Sequence, residues 1–200
     1  NPIEERRPQV LFSDWTPKNL HPHEENVEIY SNCEEVELFL NGKSLGKKSK
    51  PANDSPRNWN VDFEVGTIKA VGINGGKIVS EYELKTAGKP AKIMLSVNKT
   101  TLKNNWDDVV FAQVTVTDEM GTIIPNAENL IKFETKGAGR VVAVDSGDFN
   151  SHEPYQALER RAYQGICFAL LKANKSSGKI TLTATSPNLK SGKIEVKVVK

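Results

Sequence analysis

The stretch that decides the fold is EVELFLNGKSLGKK, residues 35–48. Val36, Leu38 and Leu40 alternate with polar positions, which is the period of a β-strand with one buried face. Asn41-Gly42 follows at once, and this dipeptide tolerates the positive φ angles of a type I′ turn. A mostly polar run then returns along the first strand. We predict a tight β-hairpin that serves as a folding device, with a functional hairpin tip as the less favoured alternative.

The same two-residue period recurs along the chain. Apolar and polar residues alternate in four further runs, 27–31, 61–65, 179–185 and 193–199. Turn signals rich in Gly and Asn separate the runs at intervals of about 8–12 residues, as in β-sandwiches. No segment has a convincing helical stripe. These patterns predict an all-β chain of immunoglobulin-like β-sandwiches.

A break in this pattern divides the chain in two. In KTAGKPAKI, residues 85–93, Gly88 and Pro90 end one strand before a new alternating run begins. Both resulting halves have the size of an immunoglobulin-like domain, about 100 residues. We predict two tandem immunoglobulin-like β-sandwich domains, 1–88 and 89–200, with 1–24 as a lead-in segment of the first.

One long run, 109–118, has an unusual second face. Its first face carries four small apolar residues: Val110, Ala112, Val114 and Val116. The second face begins with Val109 and Phe111 and then becomes polar. We therefore expect a strand that is buried on both faces at its start and solvated on one face at its end.

Composition excludes several classes of partner. Lys and Arg number 27 and Asp and Glu 25, a net charge of +2, so no electrostatic case exists for nucleic acid or an anionic membrane. No apolar run approaches the roughly 20 residues that span a bilayer. The apolar surroundings of Cys33 and Cys167 predict two buried free thiols.

The most chemically dense stretch is VAVDSGDFNSHEPYQALERRAYQG, residues 142–165. It gathers acidic, His and Arg side chains: Asp145, Asp148, His152, Glu153, Arg160 and Arg161. We favour a long inter-strand loop, ordered by Asp and Ser side chains on nearby amides and by carboxylate–Arg pairs. The alternatives are a loop that packs on another domain or edges a substrate pocket, and a cation site of the calcium type.

Four aromatic residues raise the question of sugar binding. Trp15, Trp59, Trp106 and Tyr155 lie in loop-like or strand-edge contexts. An exposed ring can stack on the apolar face of a sugar, whereas a buried ring plugs a sandwich end or a domain junction. We favour the core or junction interpretation and keep the sugar platform as the alternative.

Several motifs together indicate a family. VEIYSNCEEVELFLNGKSLGKK (27–48) and WNVDFEVGTIKAVGINGGKIVSEYELKTAGKPAKI (59–93) resemble the immunoglobulin-like domain that follows the catalytic barrel in glycoside hydrolase family 2 β-galactosidases of the Bacteroides type. The stretch from Phe111 to Gly192 is similar to the next C-terminal domain of the same enzymes. The resemblance covers about residues 25–200.

The resemblance implies a parent that hydrolyses terminal β-galactosides by a retaining mechanism, with two carboxylates on a catalytic barrel. We assign no catalytic, metal or cofactor residue, because a chain of strands cannot build that barrel. The expected role is a non-catalytic accessory region that supports the catalytic domain, the pocket rim or a dimer. A carbohydrate-binding module and an adhesin stalk are the alternatives.

The resemblance also sets the expected partners. They are the catalytic domain of the same parent chain, with carbohydrate and a second copy of the parent as further candidates. The parent is expected in the periplasm or outside the cell. The candidate sugar or domain contacts are Trp15, Trp59, Trp106, His152, Glu153, Tyr155 and Arg160.

Overall fold

The structure, a computed structural model, describes residues 13–200, so the first twelve residues of the predicted lead-in segment lie outside it. The chain divides into two compact units, of which the first ends at Thr86 and the second spans Ala87–Lys200. Residues 13–200 contain strands and no helix, and therefore none that is long and apolar enough to cross a membrane. The prediction of an all-β chain of sandwiches is confirmed.

The first unit is a sandwich of a two-stranded and a four-stranded sheet. Its strands are β1 (Glu24–Ile29), β2 (Glu35–Leu40), β3 (Lys43–Ser49), β4 (Arg57–Asp62), β5 (Thr67–Asn74) and β6 (Lys77–Lys85). β1 pairs with β4, and the larger sheet has the order β3-β2-β5-β6. All of these pairs are antiparallel.

The predicted hairpin is confirmed in β2 and β3. Leu40 pairs with Lys43 across the turn, where Asn41 and Gly42 have φ angles of 49° and 81°. The Asn41 side chain holds the tip in place, since its Oδ1 accepts a hydrogen bond from the Thr67 amide at 2.8 Å. The three alternating residues of β2 are buried: Val36, Leu38 and Leu40. Alternation thus identified the buried face correctly.

The predicted strand over 61–65 is wrong in its bounds, because β4 begins four residues earlier, at Arg57. Arg57 is buried, with 3% of its surface exposed. Its guanidinium donates to backbone carbonyls of five residues: Ser31, Cys33, Glu34, Lys48 and Ser49. These acceptors replace the water that a buried charge loses. The ladder with β1 ends at Asp62, so only the first part of 61–65 is strand.

The second unit is a larger sandwich of nine strands. They are β7 (Lys92–Val97), β8 (Thr101–Lys103), β9 (Val110–Thr117), β10 (Leu130–Gly137), β11 (Gly139–Asp145), β12 (Glu159–Arg161), β13 (Ile166–Ala173), β14 (Gly178–Thr185) and β15 (Gly192–Val199). One sheet has the order β12-β10-β14-β15-β8, and the other has the order β11-β13-β9-β7. Only the β15–β8 pair is parallel among the described ladders.

β9 shows where alternation predicts burial and where it fails. The four small apolar residues of its inner face are fully buried, at 0% exposure: Val110, Ala112, Val114 and Val116. Phe111, on the outer face, is 46% exposed. The prediction that the strand starts buried on both faces is therefore wrong, because Phe111 lies on the outer side of its sheet.

Candidate functional site

Arg160 organises the loop between β11 and β12. It is fully buried in β12, and its Nη1 donates to the Glu153 carbonyl at 2.9 Å. Its Nε donates to Ser146 Oγ at 3.2 Å, and its Nη2 donates to Asp145 Oδ1 at 3.4 Å. One guanidinium therefore holds both the beginning and the middle of the loop.

Two carboxylates compensate the buried charge. Glu153 Oε2 lies 3.6 Å from Arg160 Nε, and Asp145 Oδ1 is the acceptor of Nη2. The Tyr155 ring adds a cation–π contact, with its centroid 5.3 Å from Arg160 Cζ. A buried guanidinium without such partners would be strongly destabilising, so this cluster accounts for the conformation of the loop.

Short-range bonds order the rest of the loop. Asp145 Oδ1 accepts from the Ser146 amide at 2.7 Å, and Asp148 Oδ1 accepts from the Asn150 amide at 2.9 Å. These are the amide and carboxylate–Arg bonds expected of an ordered loop, and that interpretation of 142–165 is confirmed. Phe149, at the tip, is fully exposed.

The loop carboxylates have partners other than a metal ion. Asp145 and Glu153 both contact Arg160. Within residues 13–200 there is no group of three or more His, Cys, Asp or Glu side chains that could hold a metal ion. The exposed His152 lies beside Glu153 in the sequence and points to solvent from the same loop.

The four aromatic residues fall into two classes. Trp15 and Trp59 are 4% and 5% exposed in the core of the first unit. Trp15 donates from Nε1 to the Glu64 carbonyl at 3.1 Å and packs on Phe63 with ring centroids 5.2 Å apart. Trp59 lies inside β4, a strand of the two-stranded sheet, and not in a loop. Neither ring is available to stack on a ligand.

Trp106 and Tyr155 are exposed, at 87% and 59%. Trp106 lies between β8 and β9, where Lys172 donates to its carbonyl and places Nζ 4.8 Å from its ring centroid. Lys172 is near the C-terminal end of β13, so Trp106 lies at that end. Tyr155 lies in the loop that follows Asp145, and Asp145 pairs with Phe168 near the start of β13, so Tyr155 lies at the other end. The two exposed rings are therefore separate sites of the second unit.

The loop that carries Trp106 is held by Asp108. The Asp108 carboxylate accepts from the Lys99 ammonium and from the Lys103 amide, and the Asn105 side chain accepts from the Asp108 amide at 2.8 Å. The hydrogen bond from Lys99, followed by that from Lys103, holds the pKa of Asp108 below its ordinary range. Trp106 is thus presented on an ordered turn.

Asp118 is a buried acid that the sequence analysis did not identify. Burial alone would raise its pKa, but backbone amides outweigh that cost and lower the pKa below its ordinary value. Gly88 donates to Asp118 Oδ2 at 2.9 Å, and Thr122 donates to Oδ1 at 2.8 Å. The turn signal at Glu119-Met120-Gly121 was the available clue, because an Asp before a turn often bonds the following amides.

The two thiols are free and buried, as predicted. Burial raises the pKa of Cys167 to about 12. Hydrogen bonds from the side chains of Ser31 and Ser80 lower the pKa of Cys33. Cys33 lies in the first unit and Cys167 in the second.

Two family models match this chain, one in each unit. Residues 93–195 match the family model described as glycoside hydrolase family 2 C-terminal domain 5, and residues 23–80 match a domain of unknown function, DUF4982. Beta-galactosidase BoGH2A of Bacteroides ovatus is 37% identical over 195 residues, which are 92% of this chain and 23% of the relative. A putative beta-glucuronidase of Formosa agariphila is 32% identical over 68% of this chain and 15% of its own length.

Solved structures agree with these relatives. A beta-glycosidase from Bacteroides vulgatus superimposes with a TM-score of 0.89 at 34% identity, over 94% of this chain and 24% of that structure. A beta-glucuronidase from glycoside hydrolase family 2 superimposes with a TM-score of 0.80 at 25% identity, over 93% of this chain and 19% of that structure. The chain therefore spans about a quarter or less of these relatives, and it belongs to the glycoside hydrolase family 2 C-terminal domain 5 family.

Proposed function

We propose that this chain is the non-catalytic C-terminal accessory region of a family 2 glycoside hydrolase that cleaves terminal β-galactosides. The observation that carries the proposal is the 37% identity to a beta-galactosidase over 92% of the chain. The region supports the catalytic domain of the same parent, at its pocket rim or in its assembly.

The arrangement of carboxylates supports a non-catalytic role. Retaining glycosidases need an acid and a nucleophile about 5 Å apart and free to contact the sugar. Asp145 and Glu153, which approach each other around Arg160, are both engaged by its buried guanidinium. Their charges stabilise the loop instead of facing a substrate.

The accessory role is tested by deleting these 200 residues from the parent. We expect a lower melting temperature, altered assembly, or a reduced kcat/KM on a nitrophenyl β-galactoside. The matched control is the intact parent, purified in parallel. Unchanged stability, assembly and kinetics would overturn the accessory role.

The substrate class needs a separate measurement, because relatives are named both beta-galactosidase and beta-glucuronidase. We propose the β-galactoside, since the galactosidase match is higher in identity and in coverage. The kcat/KM of the parent should be larger for a nitrophenyl β-galactoside than for the matching β-glucuronide. The reverse order would contradict the proposed substrate and leave the accessory role standing.

The proposal includes action outside the cytoplasm, which the family resemblance suggests. Fractionation of the source cells should place the parent in the periplasm or the medium. Recovery with cytoplasmic marker enzymes would refute this part alone.

A further inference from the structure

β13 carries apolar side chains on both of its faces. Cys167, Ala169 and Leu171 project into the sandwich core and are fully buried. Ile166, Phe168 and Leu170 project to the opposite side and are half-buried. A strand that is apolar without alternation is typical of a sheet covered on both sides, whereas one solvated face gives a polar–apolar alternation.

The apolar side chains continue onto the neighbouring strands. Leu170 pairs with Phe111 of β9, which is 46% exposed. Ile166 pairs with Thr115, which in turn pairs with Met94 of β7, and Met94 is 50% exposed. Paired residues lie on the same side of a sheet, so these side chains form one surface.

Trp106 extends this surface at one end. Lys172 follows Leu170 on the same side of β13, and its Nζ lies 4.8 Å from the Trp106 ring centroid. We name the combined surface the apolar face. It consists of Met94, Trp106, Phe111, Ile166, Phe168 and Leu170.

The composition of the apolar face matches the core of a protein interface. Aromatic residues and Met are enriched in such cores, and charged residues are depleted from them. Here the uncharged Gln113 and Thr115 lie between the apolar side chains. The charged residues Lys172 and Asp145 lie at the periphery, where they would form the polar rim.

The length of the relatives indicates what covers this face. The chain spans 23% of the Bacteroides ovatus relative and 24% of the Bacteroides vulgatus structure, so most of such a protein lies outside it. A stable dimer needs roughly 20–30 residues a side, far more than this face supplies. A neighbour in the same chain needs less surface, because tethering gives it an effective concentration of about a millimolar.

We therefore propose that the apolar face docks against the remaining part of the parent polypeptide. This inference rests on the proposed accessory function and specifies the surface through which it acts. A sugar is the less favoured ligand, because Lys172 occupies one side of the indole and the other five residues of the apolar face have apolar side chains. Sugar sites also need convergent polar groups that fix orientation.

Methionine oxidation provides a direct test. Met94 and Met120 are the two methionines of the sequence, and only Met94 lies on the apolar face, while Met120 is 90% exposed. The 200-residue chain and the full parent are treated separately with hydrogen peroxide, and the oxidation of both methionines is followed in each protein. We expect the oxidation rate of Met94 relative to Met120 to fall about fivefold or more in the parent, since docking protects it. An equal ratio in the two proteins would overturn the proposal.

Charge substitution gives a second test. Phe111→Lys with Leu170→Lys should lower the melting temperature of the parent by several degrees and leave that of the 200-residue chain within about 2 °C. The matched control is Thr181→Lys with Thr183→Lys, on the outer face of β14. Equal effects of the two double variants on the parent would contradict docking.

Other occupants give distinct results. Concentration-dependent self-association of the 200-residue chain that Phe111→Lys abolishes would assign the face to a second copy. A change in Trp fluorescence with millimolar galacto-oligosaccharide, lost in Trp106→Ala, would assign it to carbohydrate. Either result would overturn docking to the parent. Deletion of the region could still destabilise the parent, so failure of this inference is distinguishable from failure of the proposed function.

Discussion

Arg160 is bound twice to Glu153: Nη1 donates to its carbonyl at 2.9 Å, and Nε lies 3.6 Å from its carboxylate. Backbone and side chain of one loop residue are thus held by one buried cation. The loop that carries Phe149 and Tyr155 depends on this relationship, because Arg160 also bonds Ser146 and Asp145 at the start of the loop.

Arg160→Met should lower the free energy of unfolding of the second unit by about 1.5–3 kcal/mol, because Ser146, Asp145 and Glu153 lose the charged donor that holds them together. Denaturant titration measures the change, and limited proteolysis should find new cleavage within 146–158. Arg161→Met is the matched control, since Arg161 is 63% exposed and lies 4.0 Å from Glu153. Its cost should stay below about 1 kcal/mol. Equal costs would mean that Arg160 does not anchor the loop.

Val114→Asp should unfold the second unit, because it buries a carboxylate without a partner in a core position that is 0% exposed. A circular dichroism melt should lose the corresponding transition. The buried Trp15 and Trp59 of the first unit should keep their blue-shifted emission. Ser96→Asp, at an exposed position, is the control and should melt like the unmodified chain. An unchanged melt for Val114→Asp would refute the face assignment of β9.

Asp118→Asn should remove an acid-dependent part of the stability. Its folded-state pKa lies below its ordinary value, so the stabilisation is present above the unfolded pKa and is lost as pH falls through the folded pKa. Unfolding at pH 7 should cost the variant about 1–3 kcal/mol. The difference from the unmodified chain should shrink below about pH 4. Asp107→Asn, at an exposed position, should show neither effect. A difference that stays constant with pH would be inconsistent with a buried ionised carboxylate.

Asn41→Ala should destabilise the first unit by about 1–2 kcal/mol, because the Thr67 amide and the Val65 carbonyl lose a partner. Chemical denaturation followed by Trp fluorescence measures this unit through Trp15 and Trp59. Asn58→Ala is the control at an exposed β4 position and should stay within about 0.5 kcal/mol. A neutral Asn41→Ala would show that the hairpin tip is held by backbone alone.

The two thiols should differ in reactivity. Cys167 is fully buried and its pKa is raised to about 12, whereas the pKa of Cys33 is lowered by Ser31 and Ser80. Iodoacetamide at pH 8 should therefore alkylate Cys33 before Cys167 in the native chain, because the thiolate is the reactive form. Peptide mass spectrometry measures which thiol is alkylated first. In the unfolded chain the two thiols should react at similar rates. Faster alkylation of Cys167 would contradict the described burial.

Strands with one buried face could be predicted from the sequence. β2, β14 and β15 were found within one or two residues, because burial of one face imposes a strict alternation. β3 was predicted only as the returning strand of the hairpin, from the Asn41-Gly42 turn signal, and β10, which follows no clear alternation, was not predicted as a strand. β13 was indicated only by the apolar, strand-like surroundings of Cys167, because apolar side chains on both faces erase the alternation.

The burial of Arg57 could not be predicted, because its partners come from distant parts of the chain. Arg57 is satisfied by carbonyls 8 to 26 residues away, and no local pattern indicates that arrangement. Around Arg160 the partners lie within one loop, and there the sequence did predict carboxylate–Arg pairing. The sequence also could not tell which aromatic residues are exposed, because Trp59 and Trp106 have similar polar neighbours along the chain.

The geometry of the hairpin tip restricts how its sequence can vary among homologues. A Cβ atom at Gly66 would lie 1.9 Å from Asn41 Oδ1, so a larger residue at 66 cannot coexist with this Asn41 conformation. Positions 41 and 66 should therefore vary together among homologues, although 25 residues separate them along the chain. A chimera that moves the FLNG turn (39–42) into another sandwich has to carry residues 64–67 as well, because the Asn41 conformation leaves no room for a Cβ atom at position 66.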